Sequence, residues 1–487
     1  MFKRKIYDSL LEWKRGSDGQ TAALIEGARR VGKSTVAEEF AKNEYESYIL
    51  IDFSIASKAT KDLFEDISDL NYLFLQLQLQ YKVDLKERKS VIIFDEVQKC
   101  PLARQAIKHL VKDRRYDYIE TGSLISIKKN VKDIVIPSEE RKLSMYPMDY
   151  EEFLWALGDD SSYNVIRQFF EMGKPLGQQT NRKLLRDFRL YMLIGGMPQA
   201  VEAYIDSNNF KNVDLVKRDI LDLYEDDFVK IDPTGRASML FDAIPAQLNK
   251  NTCRYHVGSV LKRDVRADDL LQLIAEMKDS KTVLVSYRTD DPGVGMSATI
   301  DLAKFKMFVC DTGLFTTLMF KDRDFTENEI YEKLLNDKLS ANLGYLYENV
   351  VAQMLTATGN ELFYHTFMNP TSRHNYEVDF LIARKNKICP LEIKSSGYKK
   401  HASLDRFCEK YSDRILRKYL VYTKDYTKDK DVICLPIYIY ASFHLKLYNA
   451  TTRWTSFPLR SGDVVCIHLL CSFRDTAPHW SISAEGF

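Results

Sequence analysis

Residues 27 to 34 read GARRVGKS, and residues 91 to 98 read VIIFDEVQ, an apolar run followed by two carboxylates. The first has the G-x-x-x-x-G-K-[ST] spacing of a phosphate cradle. Gly27 and Gly32 let the backbone turn tightly, so that successive N–H groups of Gly27, Ala28, Arg29, Arg30, Val31 and Gly32 point at phosphate oxygens. A helix that begins at about Lys33 and continues through Thr35 adds its positive N-terminal end to the same anion. Lys33 then meets the β- and γ-phosphates, and the Ser34 hydroxyl holds magnesium. The second run is expected to be a buried parallel strand with acids at its exit. Asp95 is placed there to hold the magnesium, and Glu96 to polarise a water for attack on the γ-phosphate. A third short strand, Tyr116 to Glu120, ends in Thr121, Gly122 and Ser123, whose hydroxyls can reach the γ-phosphate or that water. A bound nucleoside triphosphate is expected, with Lys33 and Glu96 as the catalytic candidates.

A second set of residues lies near the C-terminus, in YEVDFLIARKNKICPLEIKSS. Strand alternation puts Glu377, Asp379 and Leu381 on one face of a first strand, and Glu392 with Lys394 on one face of a second. A two-residue turn at Lys385 and Asn386 sets Asp379 opposite Glu392; a turn shifted by one sets it opposite Lys394. Both registers gather Asp379, Glu392 and Lys394 on one surface, and the helical carboxylate Glu348 can close the cluster. Two or three carboxylates with a lysine suit a magnesium-dependent phosphodiesterase. The acids hold the ion, while Lys394 serves the attacking water. The spacing D-x12-E-x-K is that of the PD-(D/E)xK nuclease pattern. Acid and lysine on a solvated hairpin face would look the same.

The elements that must hold these residues divide the chain. Residues 1–148 alternate strand and helix, which predicts a parallel sheet covered on both faces. Residues 149–235 are helical, with apolar positions at three-and-four spacing and a break at Gly195, Gly196 and Pro198. The acidic run Glu225, Asp226 and Asp227 reads as a solvated helix face. Residues 236–310 fit three short helices (239–248, 257–262 and 267–277) and then two strands (282–287 and 304–309), the order of a winged helix. Arg254, Lys262, Arg263 and Arg266 would give that module a local basic patch for DNA. A packing or partner surface is the alternative. Residues 311–440 carry the carboxylate set, and residues 441–487 have no clear period or motif.

Composition bounds the partners. The chain has 487 residues, 45% hydrophobic and 29% charged, as in an ordinary globular protein of several domains. A net charge of +1 excludes bulk attraction to nucleic acid, so DNA contact would need a local patch. The eight cysteines include no C-x-x-C pair, which argues against zinc ribbons. The charged N-terminus lacks a signal-peptide core, and no run of about 18 apolar residues could span a membrane. A cytoplasmic protein without a membrane partner is expected.

The segments GARRVGKST, VIIFDEVQ, YDYIETGSLIS, MYPMDYEEFL, LIGGMPQAV, DTGL, YLYENVVAQML, EVDFLI and PLEIKSS together resemble a family. It is that of bacterial and archaeal AAA-type ATP-binding proteins with an uncharacterised PD-(D/E)xK-like C-terminal domain. The resemblance runs from about residue 15 to 440 and leaves the last residues uncovered. It implies an α/β fold: a P-loop NTPase parallel sheet, a helical and winged-helix middle, and a nuclease-like α/β end. It also implies ATP, rather than another triphosphate, with Mg2+. Two functions follow as expectations. Either ATP state is coupled to a domain that acts on nucleic acid, or the chain is an ATP-driven signalling or partner-binding switch with a catalytically silent C-terminal scaffold. A protein partner or a homo-oligomer is compatible with both.

Overall fold

The computed structural model describes residues 1–122, 138–250, 252–261, 266–293, 295–322, 328–336, 344–372, 374–395 and 401–439. Ser123, Lys262, Arg263 and the segment 441–487 lie outside them.

Five parallel strands form the first sheet: β1 (Ala22–Glu26), β2 (Ser47–Asp52), β3 (Ser90–Asp95), β4 (Asp117–Gly122) and β5 (Glu140–Ser144), in the order β2-β3-β4-β1-β5. β1, β3 and β4 are buried along their whole length, which is why they read as continuous rather than alternating apolar runs. The helices α1 (Ile6–Ser17), α2 (Lys33–Glu44), α3 (Lys58–Asp62), α4 (Leu70–Tyr81) and α5 (Pro101–Asp113) alternate with them. Strand β5, ERKLS, carries no apolar signal because it is an edge strand with only Leu143 buried. Arg104 on α5 ties it in, bonding Glu120 of β4 at 3.0 Å and Glu140 of β5 at 2.9 Å.

The helical middle follows as α6 (Tyr150–Ala156), α7 (Ser162–Glu171), α8 (Gln178–Ile194), α9 (Pro198–Ser207) and α10 (Phe210–Ile231). The break at Gly195 and Gly196 is a packing point. A side chain on Gly196 would sit 2.0 Å from the Met148 carbonyl, and its N–H donates to Asp311 at 2.6 Å. The acidic run on α10 is not a uniformly solvated face. Asp226 is exposed, Glu225 pairs with Lys321, and Asp227 is buried against Arg29 of the glycine loop.

Next come α11 (Arg236–Asp242), α12 (Ile244–Asn249) and α13 (Ala267–Asp279). The single helix expected over 239–248 is two, broken just ahead of Pro245, which has no N–H to continue the ladder. The helix expected at 257–262 shows only one tight turn, Val257–Ser259.

Strands β6 (Val283–Thr289) and β7 (Ile300–Val309) form the expected antiparallel hairpin, but it does not stand apart. β6 pairs with β8 (Phe363–Phe367) through Tyr287 and Arg288, so the sheet crosses the boundary expected at 310/311. With β9 (Tyr376–Arg384), β10 (Lys387–Lys394), β11 (Lys418–Tyr422), β12 (Thr427–Asp429) and β13 (Val432–Pro436), the sheet has eight strands. Their order is β12-β13-β11-β10-β9-β8-β6-β7, a mixed sheet. Helices α14 (Thr312–Met319), α15 (Asn328–Leu335), α16 (Gly344–Ala357) and α17 (Ala402–Lys410) accompany it. No helix among the described residues is long and apolar enough to cross a membrane.

Candidate active sites

The glycine loop leaves β1 at Glu26 and enters α2 at Lys33. Gly27 is required by proximity: a Cβ there would lie 2.2 Å from the Met145 carbonyl oxygen. Gly32 has φ +97°, a left-handed conformation that glycine adopts without strain, and Arg30 has φ 68°. Ala28 and Val31 are buried, Arg30 and Thr35 are exposed, and Arg4 donates to the Val31 carbonyl at 2.8 Å.

Lys33 folds back onto the loop, donating to the carbonyls of Gly27 at 3.1 Å and Ala28 at 2.9 Å. It is 7% exposed, and burial pushes its ammonium down to about 8 against the pull of Glu96 and Asp95. One turn of chemistry away, Ser34 Oγ donates to Asp95 Oδ1 at 2.7 Å, joining residues 61 apart in sequence. The parallel register of β3 and β4 brings Thr121 to the same Asp95 oxygen. Glu96 sits just past the strand with φ 52°, its carboxylate held by the Gln98 amide and its N–H 3.4 Å from Thr121 Oγ1. Ser34 and Thr121 therefore meet at one oxygen of Asp95, with Lys33 and Glu96 close by, while Arg30 and Thr35 are exposed and Ser123 is not described.

Helix α10 adds residues that the motifs do not announce. Asp227 Oδ1 lies 3.5 Å from Arg29 and 2.6 Å from Lys230, and Tyr224 Oη donates to the Arg29 carbonyl at 3.3 Å.

The second set also converges. β9 and β10 pair through a two-residue turn at Lys385 and Asn386, with Lys387 opposite Arg384 and Leu391 opposite Phe380, and the next pair in that register is Asp379 with Glu392. Glu348 on α16, Glu377 and Asp379 on β9, and Glu392 and Lys394 on β10 line one pocket of about 310 Å³. Lys306 of β7 lines it too, and the sequence reading missed it.

Each acid has a partner. Lys394 Nζ lies 2.6 Å from Glu392 Oε1, and the other Glu392 oxygen accepts from the Leu404 N–H at 3.2 Å. Asp379 Oδ2 accepts from the Ile393 N–H at 2.7 Å. Lys306 Nζ is 3.3 Å from Glu348 Oε2 and bonds Glu377 as well. Burial, with Glu348 beside it, drives Asp379 well above the usual carboxylate range. Burial pulls Lys394 and Lys306 down, but the surrounding carboxylates outweigh it and hold both above the ordinary lysine value.

The two donor sets differ in their fit to magnesium. Ser34 and Asp95 offer two hard oxygens on one spot beside the loop, which suits the ion. The acid pocket has the right oxygen chemistry, but at least one oxygen of each acid is engaged by a lysine or a backbone N–H. No group of three or more possible ligand side chains stands ready for a metal among the described residues. The one signal in the sequence for Lys306 was a lysine between Phe305 and Met307, both buried in an apolar strand.

Comparison with known proteins finds three matched regions. Residues 19–154 match the model of an AAA domain, residues 185–324 a domain of unknown function (DUF8612), and residues 343–440 another domain of unknown function (DUF4143). An uncharacterised protein of Methanocaldococcus jannaschii is 24% identical over 381 residues, spanning 75% of this chain and 72% of that protein. A Walker-type ATPase of Pyrococcus abyssi is similar in structure at 17% identity and TM-score 0.40, covering 66% of this chain and 96% of its own. RuvB of Thermotoga maritima is similar at 12% identity and TM-score 0.27, covering 58% of this chain and 89% of its own. The N-terminal region is an AAA-type P-loop ATPase domain, followed by helices and a mixed C-terminal sheet.

Proposed function

We propose that the chain is a magnesium-dependent ATPase whose N-terminal site turns over ATP and passes the nucleotide state to the C-terminal domain. The observation that carries this is the Ser34 to Asp95 hydrogen bond, which unites the two motifs where a triphosphate's metal would lie. Ser34 and Asp95 would hold the ion, which when bound offsets charge on the β- and γ-phosphates. Lys33 exchanges its two loop carbonyls for phosphate oxygens, and the loop N–H groups wrap the anion. Glu96, steadied by Gln98, orients the attacking water and takes its proton. Glu96→Gln keeps the shape but not the base. ATP should still bind while hydrolysis falls by about 10²-fold. Turnover at the parental rate in that variant would remove Glu96 from the role.

A route to the C-terminal domain is built from contacts. Tyr224 touches Arg29 on the loop and lies 3.8 Å from Cys310 Sγ at the end of β7, the strand that carries Lys306. This favours an ATP-driven switch. A second reading, a metal-dependent phosphodiesterase acting on nucleic acid, is favoured by Glu348, Asp379, Glu392 and Lys394 lining a single pocket. On that reading Asp379→Ala and Lys394→Ala abolish magnesium-dependent cleavage of DNA or RNA and leave ATP turnover intact. No cleavage by the parent on single- or double-stranded substrates leaves the switch. The helices 236–249 and 267–279 with the β6–β7 hairpin support a winged-helix reading, with Arg254 and Arg266 exposed. Duplex binding there should weaken steeply with salt.

A further inference from the structure

We infer that Lys306 is the resident cation of the acid pocket: it occupies Glu348 and Glu377 where a divalent ion would need them, so this residue decides whether the pocket takes a metal. The inference rests on the phosphodiesterase reading for Glu348 and Asp379 as ligands, adds Glu377, and makes Lys306 the group that keeps metal binding there weak.

Lys306 lies on an edge strand between two buried apolar residues and is itself only 6% exposed. A buried ammonium is expensive unless paired, and this one is paired from two directions, with Glu348 on α16 and Glu377 on β9. The helix that carries Glu348 is fixed to the strand that carries Lys306. The neighbour of Glu348, Asn349, clamps α16 to β7 by accepting from the Val309 N–H at 2.9 Å and donating to the Val309 carbonyl at 3.1 Å. On the far side Lys394 serves Glu392 instead. The result is four acids and two lysines around an opening of about 310 Å³. This network lines a cavity rather than a closed core. Four carboxylates are among the residues that line the cavity, yet no group of three stands ready for a metal among the described residues, and at least one oxygen of each is engaged by a lysine or a backbone N–H. Removing the Lys306 ammonium releases one oxygen each of Glu348 and Glu377 beside Asp379 and deepens the negative charge that a divalent cation would neutralise.

The test is manganese binding to the full chain without nucleotide, followed by calorimetry and by electron paramagnetic resonance. Lys306→Met keeps the length of the side chain and removes the charge. Lys306→Gln carries the same expectation should the Met variant not fold. The parent and Lys306→Arg should bind manganese at this pocket only weakly. Lys306→Met should bind one ion at least tenfold more tightly than the parent, and adding Asp379→Ala should abolish that gain. Manganese should also raise the melting temperature of Lys306→Met but not that of the parent. Asp379-dependent binding by the parent as tight as by Lys306→Met would overturn the inference and leave the phosphodiesterase reading standing. No binding by a folded Lys306→Met or Lys306→Gln protein would also overturn it. Manganese binding by Lys306→Met without cleavage of DNA or RNA would support the inference and remove the phosphodiesterase reading.

Discussion

Lys33 and Lys306 are both buried, and their surroundings drive them in opposite directions. Lys33 rests on the carbonyls of Gly27 and Ala28, which carry no net charge, so burial wins and its ammonium is weakened. Burial acts on Lys306 as well, but Glu348, Glu377 and Asp379 outweigh it and hold the proton firmly. The loop has a cation waiting for an anion to neutralise it. The acid pocket has a cation that is already neutralised. One site is prepared for a ligand of high negative charge, and the other must give up an internal ion pair before it can accept a metal.

The largest effect expected from breaking this comparison is at Lys33. In Lys33→Ala the protein should stay folded, since only two hydrogen bonds to carbonyls are lost, but ATP should no longer stabilise it. For the parent at a hundredfold excess over Kd, the stabilisation is about 2.7 kcal/mol, readable as a shift in Tm. An equal shift in the mutant would refute the assignment of the loop.

At Lys306 the cost should fall on folding instead. Lys306→Met leaves Glu348 and Glu377 facing Asp379 without their cation, and a loss of about 2 kcal/mol is expected for these partly exposed acids. Burial, with Glu348 beside it, already holds Asp379 well above the usual carboxylate range, and removing Lys306 takes away a charge that opposes this. The deficit is therefore largest at the higher pH and shrinks as acid protonates Asp379. Denaturant melts at two pH values measure this, and a deficit that grows in acid would contradict it.

The smallest effect is expected at Arg29. Its pair with Asp227 is 3.5 Å long and the arginine is 40% exposed, so solvent screens it. Arg29→Ala should change ATP affinity by no more than about fivefold, the equivalent of about 1 kcal/mol. A larger loss would mean that Arg29 touches the nucleotide directly.

What the sequence revealed follows the same divide. GARRVGKS and VIIFDEVQ were legible because the residues of each motif are neighbours in the chain, and strands β1 and β3 are apolar throughout. The Asp379 and Glu392 register was legible as one of two choices, and the two-residue turn selected it. Lys306 was not legible, because its partners lie 42 and 71 positions further along, on helix α16 and on the non-adjacent strand β9, and only the tertiary fold brings them to it. Asp227 was misread for a similar reason: its partner on the glycine loop is 198 residues away, and helix periodicity cannot report it. Strand β5 was missed because an edge strand with one buried residue has no hydrophobic pattern.

The most direct test of the central claim, that Lys33 is a weakened cation waiting for a triphosphate, is calorimetry of ATP–Mg binding in two buffers of different ionisation enthalpy. Burial holds the free lysine at about 8, below the ordinary value, and bound phosphate must raise it. At about pH 9 most of the free protein has a neutral Lys33 and should take up close to one proton on binding. At about pH 7 it is already protonated and should take up almost none. The account predicts heats that depend on the buffer at the higher pH, one ATP per chain, and no such dependence at the lower pH. Buffer-independent heats at both pH values would contradict it.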